Sequence, residues 1–336
     1  MKVHQLTIDS GQRDASLYAN PNDYVINLET PIYDVSQIKL VSARIPTPQL
    51  LICGTNQAFD FEVIYSDPAN SPTQHGITYN QGNYDGASLA AGFTSVGNFD
   101  FNISYDPTKN RFSMGTPTHS GGSGISQIVF KFKTGSRGYD DTSATQTTMH
   151  QILGLPALDV AMPGSDFGAA NLSGPNSLVM RISSGSEQLN QSLPSSGQTP
   201  YYTGHILLDG TDFVNVSGTD DKVTHEFHSG SLKSVSDLRI EFFYMSHGRL
   251  IPYDFRNQDH VLKFEITCST DKLENLTPMK EEPVEEEEEK EKEKVPSISI
   301  PEKRNLYEWK IEYIYITLII FTGILLILSM GKRRAA

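Results

Sequence analysis

The sequence predicts a mainly β fold: a jelly-roll-like β-sandwich with an inserted αββα element, then a disordered acidic linker and one C-terminal transmembrane helix. Three observations lead there. Apolar residues alternate with polar ones in run after run through residues 1–270. Gly, Pro, Asn and Asp clusters separate those runs. Eighteen consecutive residues without a charge, 313–330, lie near the end.

Period-two alternation is the mark of a half-buried strand, because successive side chains leave opposite faces. Phe59, Phe61, Val63 and Tyr65 alternate in this way. So do Ile128, Phe130 and Phe132, then Leu238, Ile240, Phe242 and Tyr244, then Leu262, Phe264, Ile266 and Cys268. Shorter strands are expected at residues 3–8, 24–28, 37–45, 178–182 and 205–208. The dipeptide Asp209-Gly210 reads as a hairpin turn, since both residues tolerate positive φ. Many short strands with frequent turn signals indicate a sandwich or jelly roll.

Two helices interrupt the strands. Asp85 is placed to cap one that carries Leu89, Phe93 and Val96 on a single face. A second is expected over residues 147–153, ended by Gly154. With strands at 99–105, 111–115 and 128–133 between them, the insertion covers about residues 80–160 of a domain spanning 1–270.

The linker, residues 271–306, holds nine Glu and four Lys between Lys280 and Lys294, and prolines at 278, 283, 296 and 301. Such a segment cannot bury enough apolar surface to offset its ordering entropy. As a flexible coil it would span roughly 30–36 Å. Residues 307–331 form the anchor. Eighteen residues at ~1.5 Å each make about 27 Å of helix, close to the ~30 Å bilayer core. Tyr307, Trp309, Tyr313 and Tyr315 crowd its entrance as an aromatic belt, and Lys332, Arg333 and Arg334 in the tail 332–336 close the far side. The N-terminus lacks the apolar stretch of a signal peptide, so the expected topology is tail-anchored.

Composition narrows the function. Net charge is -13, which argues against direct nucleic-acid binding by the body. Two cysteines, Cys53 and Cys268, make no disulfide framework and are expected to be buried thiols.

Several short strings occur in a fixed order. They begin with Leu6-Thr7-Ile8-Asp9-Ser10, Gln12-Arg13-Asp14, Pro21-Asn22-Asp23-Tyr24 and the run ending Ile45-Pro46. Gln81-Gly82-Asn83-Tyr84, Ser104-Tyr105-Asp106 and Ile152-Leu153-Gly154-Leu155 follow. The run 238–244, Gly248-Arg249-Leu250 and Leu262-Lys263-Phe264-Glu265-Ile266 complete the series. In this order they resemble minor capsid proteins of large icosahedral nucleocytoplasmic DNA viruses, the phycodnavirus type that infects algae. The resemblance covers nearly all of residues 1–270; Asp85 and Leu155 depart from it, standing where Ser or Thr and an aromatic residue are usual. It implies a capsid sandwich lying beneath the outer shell, with the major capsid protein and other minor capsid proteins as partners. The anchor would then sit in the internal viral membrane.

Chemistry is weakly represented. His225 and His228 sit three apart on a strand and so face opposite sides, which spoils a shared metal site. The stretch Ser120-Gly121-Gly122-Ser123-Gly124 lacks the Lys-Ser/Thr of a phosphate loop. No catalytic, cofactor-binding or metal residues are assigned, and no enzyme activity is expected. Sequons at Asn102, Asn171, Asn190, Asn215 and Asn275 are expected to stay unused without translocation. The competing reading is a membrane-anchored attachment or receptor-binding protein on the virion surface, which would need the body translocated.

Overall fold

The computed structural model describes residues 2–93, 98–122, 124–141, 145–185, 187–189, 201–218, 222–227 and 233–269. The chain divides into two units, Met1–Thr277 and Pro278–Ala336. The first holds every described residue, and the expected linker and anchor lie outside them.

The fold is mainly β and antiparallel, organised around the 24-residue strand Asp23–Pro46. The N-terminal strand Lys2–Asp9 pairs with Val261–Cys268, from Lys2 opposite Cys268 to Asp9 opposite Val261. Val261–Cys268 then pairs with residues 35–44 of the long strand. Residues 23–35 of the long strand pair instead with Lys233–Ser246, which passes on to Ser177–Ser184. One strand thus changes partner along its length, near Val35. There, residues 28–31 bulge out opposite the single residue Ser236, and Asp34 has φ 57°. A bulge bends its strand and raises local twist, so the ten-stranded sheet curls. Pro31, which has no N–H to donate, falls within the bulge, where a ladder tolerates it. That bulge explains why alternation lapses between the two expected strands at 24–28 and 37–45, which form one strand.

The curled sheet wraps a single core. Leu238, Ile240 and Phe242 from one half and Leu262, Phe264 and Ile266 from the other are all fully buried in it. Gly204–Leu207 pairs with Ser177–Ser184, and Phe213–Ser217 pairs with the long strand. Asp209-Gly210 therefore turns the chain, with Gly210 at φ 77°, but joins no hairpin. The two flanking strands have different partners, so the expected hairpin is corrected to a crossing between them. Where these regions meet, a Cβ on Gly204 would lie 2.5 Å from Val223 Cγ2; only glycine permits that approach.

A second core draws on residues from Leu51 to Leu172. Its four-stranded sheet runs in the order Asp159–Met162, Ile125–Lys131, Ala58–Tyr65, Thr73–Thr78. The strand containing Phe59 and Phe61 thus belongs to this inserted lobe rather than to the sandwich. Its centre is aromatic: Phe59 meets Phe130 edge-on at 5.5 Å and Phe61 meets Phe101 at 5.0 Å. The first helix spans Gly86–Gly92, capped by Asp85, whose Oδ1 accepts from Ser88 N at 2.7 Å. Leu89 and Phe93 are buried as expected; Val96 lies outside the described residues. The second helix is shorter than expected, His150–Leu153, and ends at Gly154 in the left-handed conformation. Thr147 and Thr148 are held by side-chain hydrogen bonds rather than by a helical turn. The single strand expected at 99–105 breaks at Asn102, φ 50°, into Phe99–Asp100 and Ile103–Asp106.

Candidate functional site

The residues singled out for the membrane, Tyr307, Trp309, Tyr313, Tyr315, Lys332, Arg333 and Arg334, all lie outside the described residues. Among the described residues, no helix is long and apolar enough to cross a membrane. Among them, too, no group of three or more His, Cys, Asp or Glu could hold a metal ion. His225 falls in the strand Thr224–Glu226, where its ring packs against Phe227 at 4.6 Å; His228 is outside the described residues. Cys53 and Cys268 are free and buried, as expected.

The structure does bring together residues that the ordered strings contain. The strand Lys2–Asp9 ends where Asp9 caps a short 3-10 turn, its Oδ1 accepting from Gly11 N at 2.9 Å. This turn delivers Ser10 and Arg13 to the start of the last strand. Ser10 N donates to His260 O at 3.0 Å. Ser10 Oγ accepts from His260 N at 2.9 Å and donates to Asp259 Oδ1 at 2.9 Å. Arg13 reaches the same carboxylate at 2.6 Å and also donates to Ser10 O and Tyr18 O. Beneath them, Tyr24 Oη lies 2.8 Å from His260 Nε2. Burial holds the His260 imidazole down to about 3, with Asp259 opposing and Arg13 assisting, while burial raises the Tyr24 phenol. Phe242 and Phe255 close the pocket at 4.8 and 5.0 Å from the imidazole. Asp259-His260 had no signal in the sequence, because its partners lie about 240 positions away.

A second network joins the two cores. Tyr139 Oη bonds Thr147 Oγ1 and Ser246 Oγ, the latter at 2.8 Å, and lies 3.2 Å from His150 Nδ1. Thr148 Oγ1 is 3.1 Å from that nitrogen. The Arg249 guanidinium stacks 4.6 Å over the Tyr139 ring and donates to Gly138 O at 2.7 Å and Gln146 O at 3.3 Å. Arg249, within Gly248-Arg249-Leu250, is 8% exposed, so an arginine of the curled sheet is buried in the inserted lobe. Thr55 Oγ1 adds a bond to Tyr244 Oη at 3.0 Å. A cavity of about 330 Å³ lies beside this junction, and Gln49, Gln151, Asn176 and Ser177 line it without any charged side chain.

The outer face of the sheet carries a ladder of ion pairs. Arg181 binds Glu241 through two bonds of 2.8 and 2.7 Å, and Arg239 binds Asp23 through two of 2.8 Å. Arg239 also approaches Glu241 at 3.6 Å. Arg181 stacks over Phe243 at 4.7 Å. All three networks tie strands or lobes to one another; their chemistry is that of scaffolding, with hydroxyls and imidazoles turned toward internal partners.

No protein-family model matches the chain, and no curated protein does. Among solved structures, the chain is similar to the penton protein of mavirus, at 14% identity and a TM-score of 0.30, over 80% of this chain and 99% of that one. It is also similar to a chain of the Sputnik virophage determined by cryo-electron microscopy, at 10% identity and a TM-score of 0.30, over 80% and 98%.

Proposed function

We propose that this chain is a structural protein of a viral shell, with no catalytic role. More particularly, it is a minor capsid protein of the large icosahedral DNA-virus type, its curled sheet acting as a jelly-roll sandwich. The body packs beneath the shell, against the major capsid protein and other minor capsid proteins. Residues 307–331 sit in the internal viral membrane, and the acidic linker bridges the gap.

One observation carries this reading: the family-like strings run in order through residues 1–270, and their members are framework residues. Ser10, Arg13 and Tyr24 meet at the start of the last strand, Arg249 joins the two cores, and Leu238, Leu262 and their alternating neighbours fill the larger core. Residues engaged in building a scaffold fit a protein whose work is to be a rigid part. The uncharged run 313–330 adds the membrane.

Protease protection of the membrane-inserted full chain, combined with glycosylation mapping, tests the topology. The body, residues 1–270, is expected to be digested from the cytosolic side, and its four sequons and the one at Asn275 in the linker to stay unmodified. A protected, glycosylated body would overturn the tether and favour an attachment protein.

A further inference from the structure

Tyr139 stands at the contact between the two cores with three cationic or cation-forming groups around its ring. Arg249 lies 4.6 Å from the ring centre, His247 4.9 Å and His150 5.0 Å. His150 and Tyr139 come from the inserted lobe, His247 and Arg249 from the turn and strand that follow Lys233–Ser246. The guanidinium donates to two backbone carbonyls. Burial raises the neighbouring Tyr244 phenol, which stays neutral in the acid range, and Cys53 beyond it is a free, buried thiol. On the loop itself, Lys133 pairs with Asp140 at 3.8 Å, Asp140 and Asp141 are exposed and Arg137 is half-buried. The junction thus holds one fixed positive charge and two imidazoles.

We propose that this junction is an acid-sensitive coupling: protonation of the buried His150 beside Arg249 and Tyr139 loosens the inserted lobe from the curled sheet. The inference does not depend on the capsid reading. At neutral pH, His150 Nδ1 can accept from the Tyr139 or Thr148 hydroxyl. Protonation removes that acceptor and places a buried cation near Arg249, and the backbone hydrogen bond at Thr148 opposes this cost only in part. Burial, reinforced by His247, holds the His150 imidazole down to about 4. A folded-state value below the ordinary 6.5 means that the stability His150 contributes is complete above about pH 6.5 and is lost as pH falls toward 4.

Hydrogen–deuterium exchange of the full chain in detergent, corrected for the intrinsic pH dependence of exchange, tests this. Peptides covering 132–141, 145–155 and 244–252 report the junction; those covering 178–183, 238–242 and 262–267 report the curled sheet. Between pH 7 and pH 5, local opening at the junction is expected to rise about twentyfold from His150 alone, while the sheet peptides keep their protection. His150→Gln should abolish most of that rise. His247→Asn should fold normally, because Asn tolerates the φ of 47° there, and should make the rise smaller, since His247 no longer helps to hold the His150 imidazole down. If His150→Gln does not fold, His247→Asn decides alone. Unchanged junction exchange at pH 5, simultaneous loss at junction and sheet, or a His247→Asn variant that tracks the parent protein would each overturn the proposal.

Discussion

Single residues hold this fold together at places where one atom has no substitute. Tyr24 Oη is the partner of His260 Nε2 in a site closed by Phe242 and Phe255, and His260 Nδ1 has no partner among the described residues. Tyr24→Phe keeps the ring and removes only the hydroxyl, leaving the second imidazole nitrogen buried and unpaired. An unsatisfied buried polar group costs about 1–3 kcal/mol, so urea unfolding should show a loss of that size. A loss below a few tenths of a kcal/mol would mean that the bond adds nothing. Glu241 illustrates the same dependence: it is 7% exposed and relies on the two-bond contact with Arg181 for its charge. Neither partnership was legible in advance. Alternation showed that Glu241 and Arg239 lie on the outer face, but not that Arg181 and Asp23 stand beside them.

The short helix Gly86–Gly92 shows how an element is fitted to its surroundings. Both of its terminal glycines lie under tyrosines. A Cβ on Gly86 would come within 2.4–2.5 Å of three ring atoms of Tyr105, and one on Gly92 within 2.1 Å of Tyr79 Oη. Glycine lowers intrinsic helix stability, so its presence at both ends reflects close packing rather than propensity. Gly86→Ala must displace Tyr105 from Phe112, its ring neighbour at 5.1 Å, and from Asn110, its hydrogen-bond acceptor. Overpacking of this kind costs about 1–3 kcal/mol, measurable by thermal unfolding, although Ala is the better helix former. A rise in stability instead would mean that propensity outweighs the tyrosine contact. The capping Asp85 and the buried Leu89 and Phe93 were legible from spacing alone. The end of the helix by residue 93 was not, because Val96 continues the apolar period in the sequence.

The molecule as a whole assembles both cores from residues 2–269. A chain ending at Ser269 is therefore expected to fold and to unfold cooperatively. It should remain in the aqueous phase on detergent partitioning, whereas the full chain enters the detergent phase through the run 313–330. A truncated chain that still partitions into detergent would place the membrane affinity in the body. The acidic balance sharpens with the division, since residues 271–336 carry 14 acidic and 11 basic groups and leave most of the net -13 on the body.

What the sequence determined by itself is local: strand faces, turn positions, two helix caps and a hydrophobic run of bilayer length. These follow from periodicity and from the backbone limits of Gly, Asp and Pro, which act over a few residues. What the tertiary structure decided is which strands pair. The bulge at residues 28–31 made one strand of two and let it serve two neighbours. The strand containing Phe59 and Phe61 pairs in a second sheet with its own core, and the strands flanking Asp209-Gly210 pair with different partners instead of with each other. Pairing is set by contacts between residues up to 266 positions apart, and alternation reads the same whichever neighbour a strand receives.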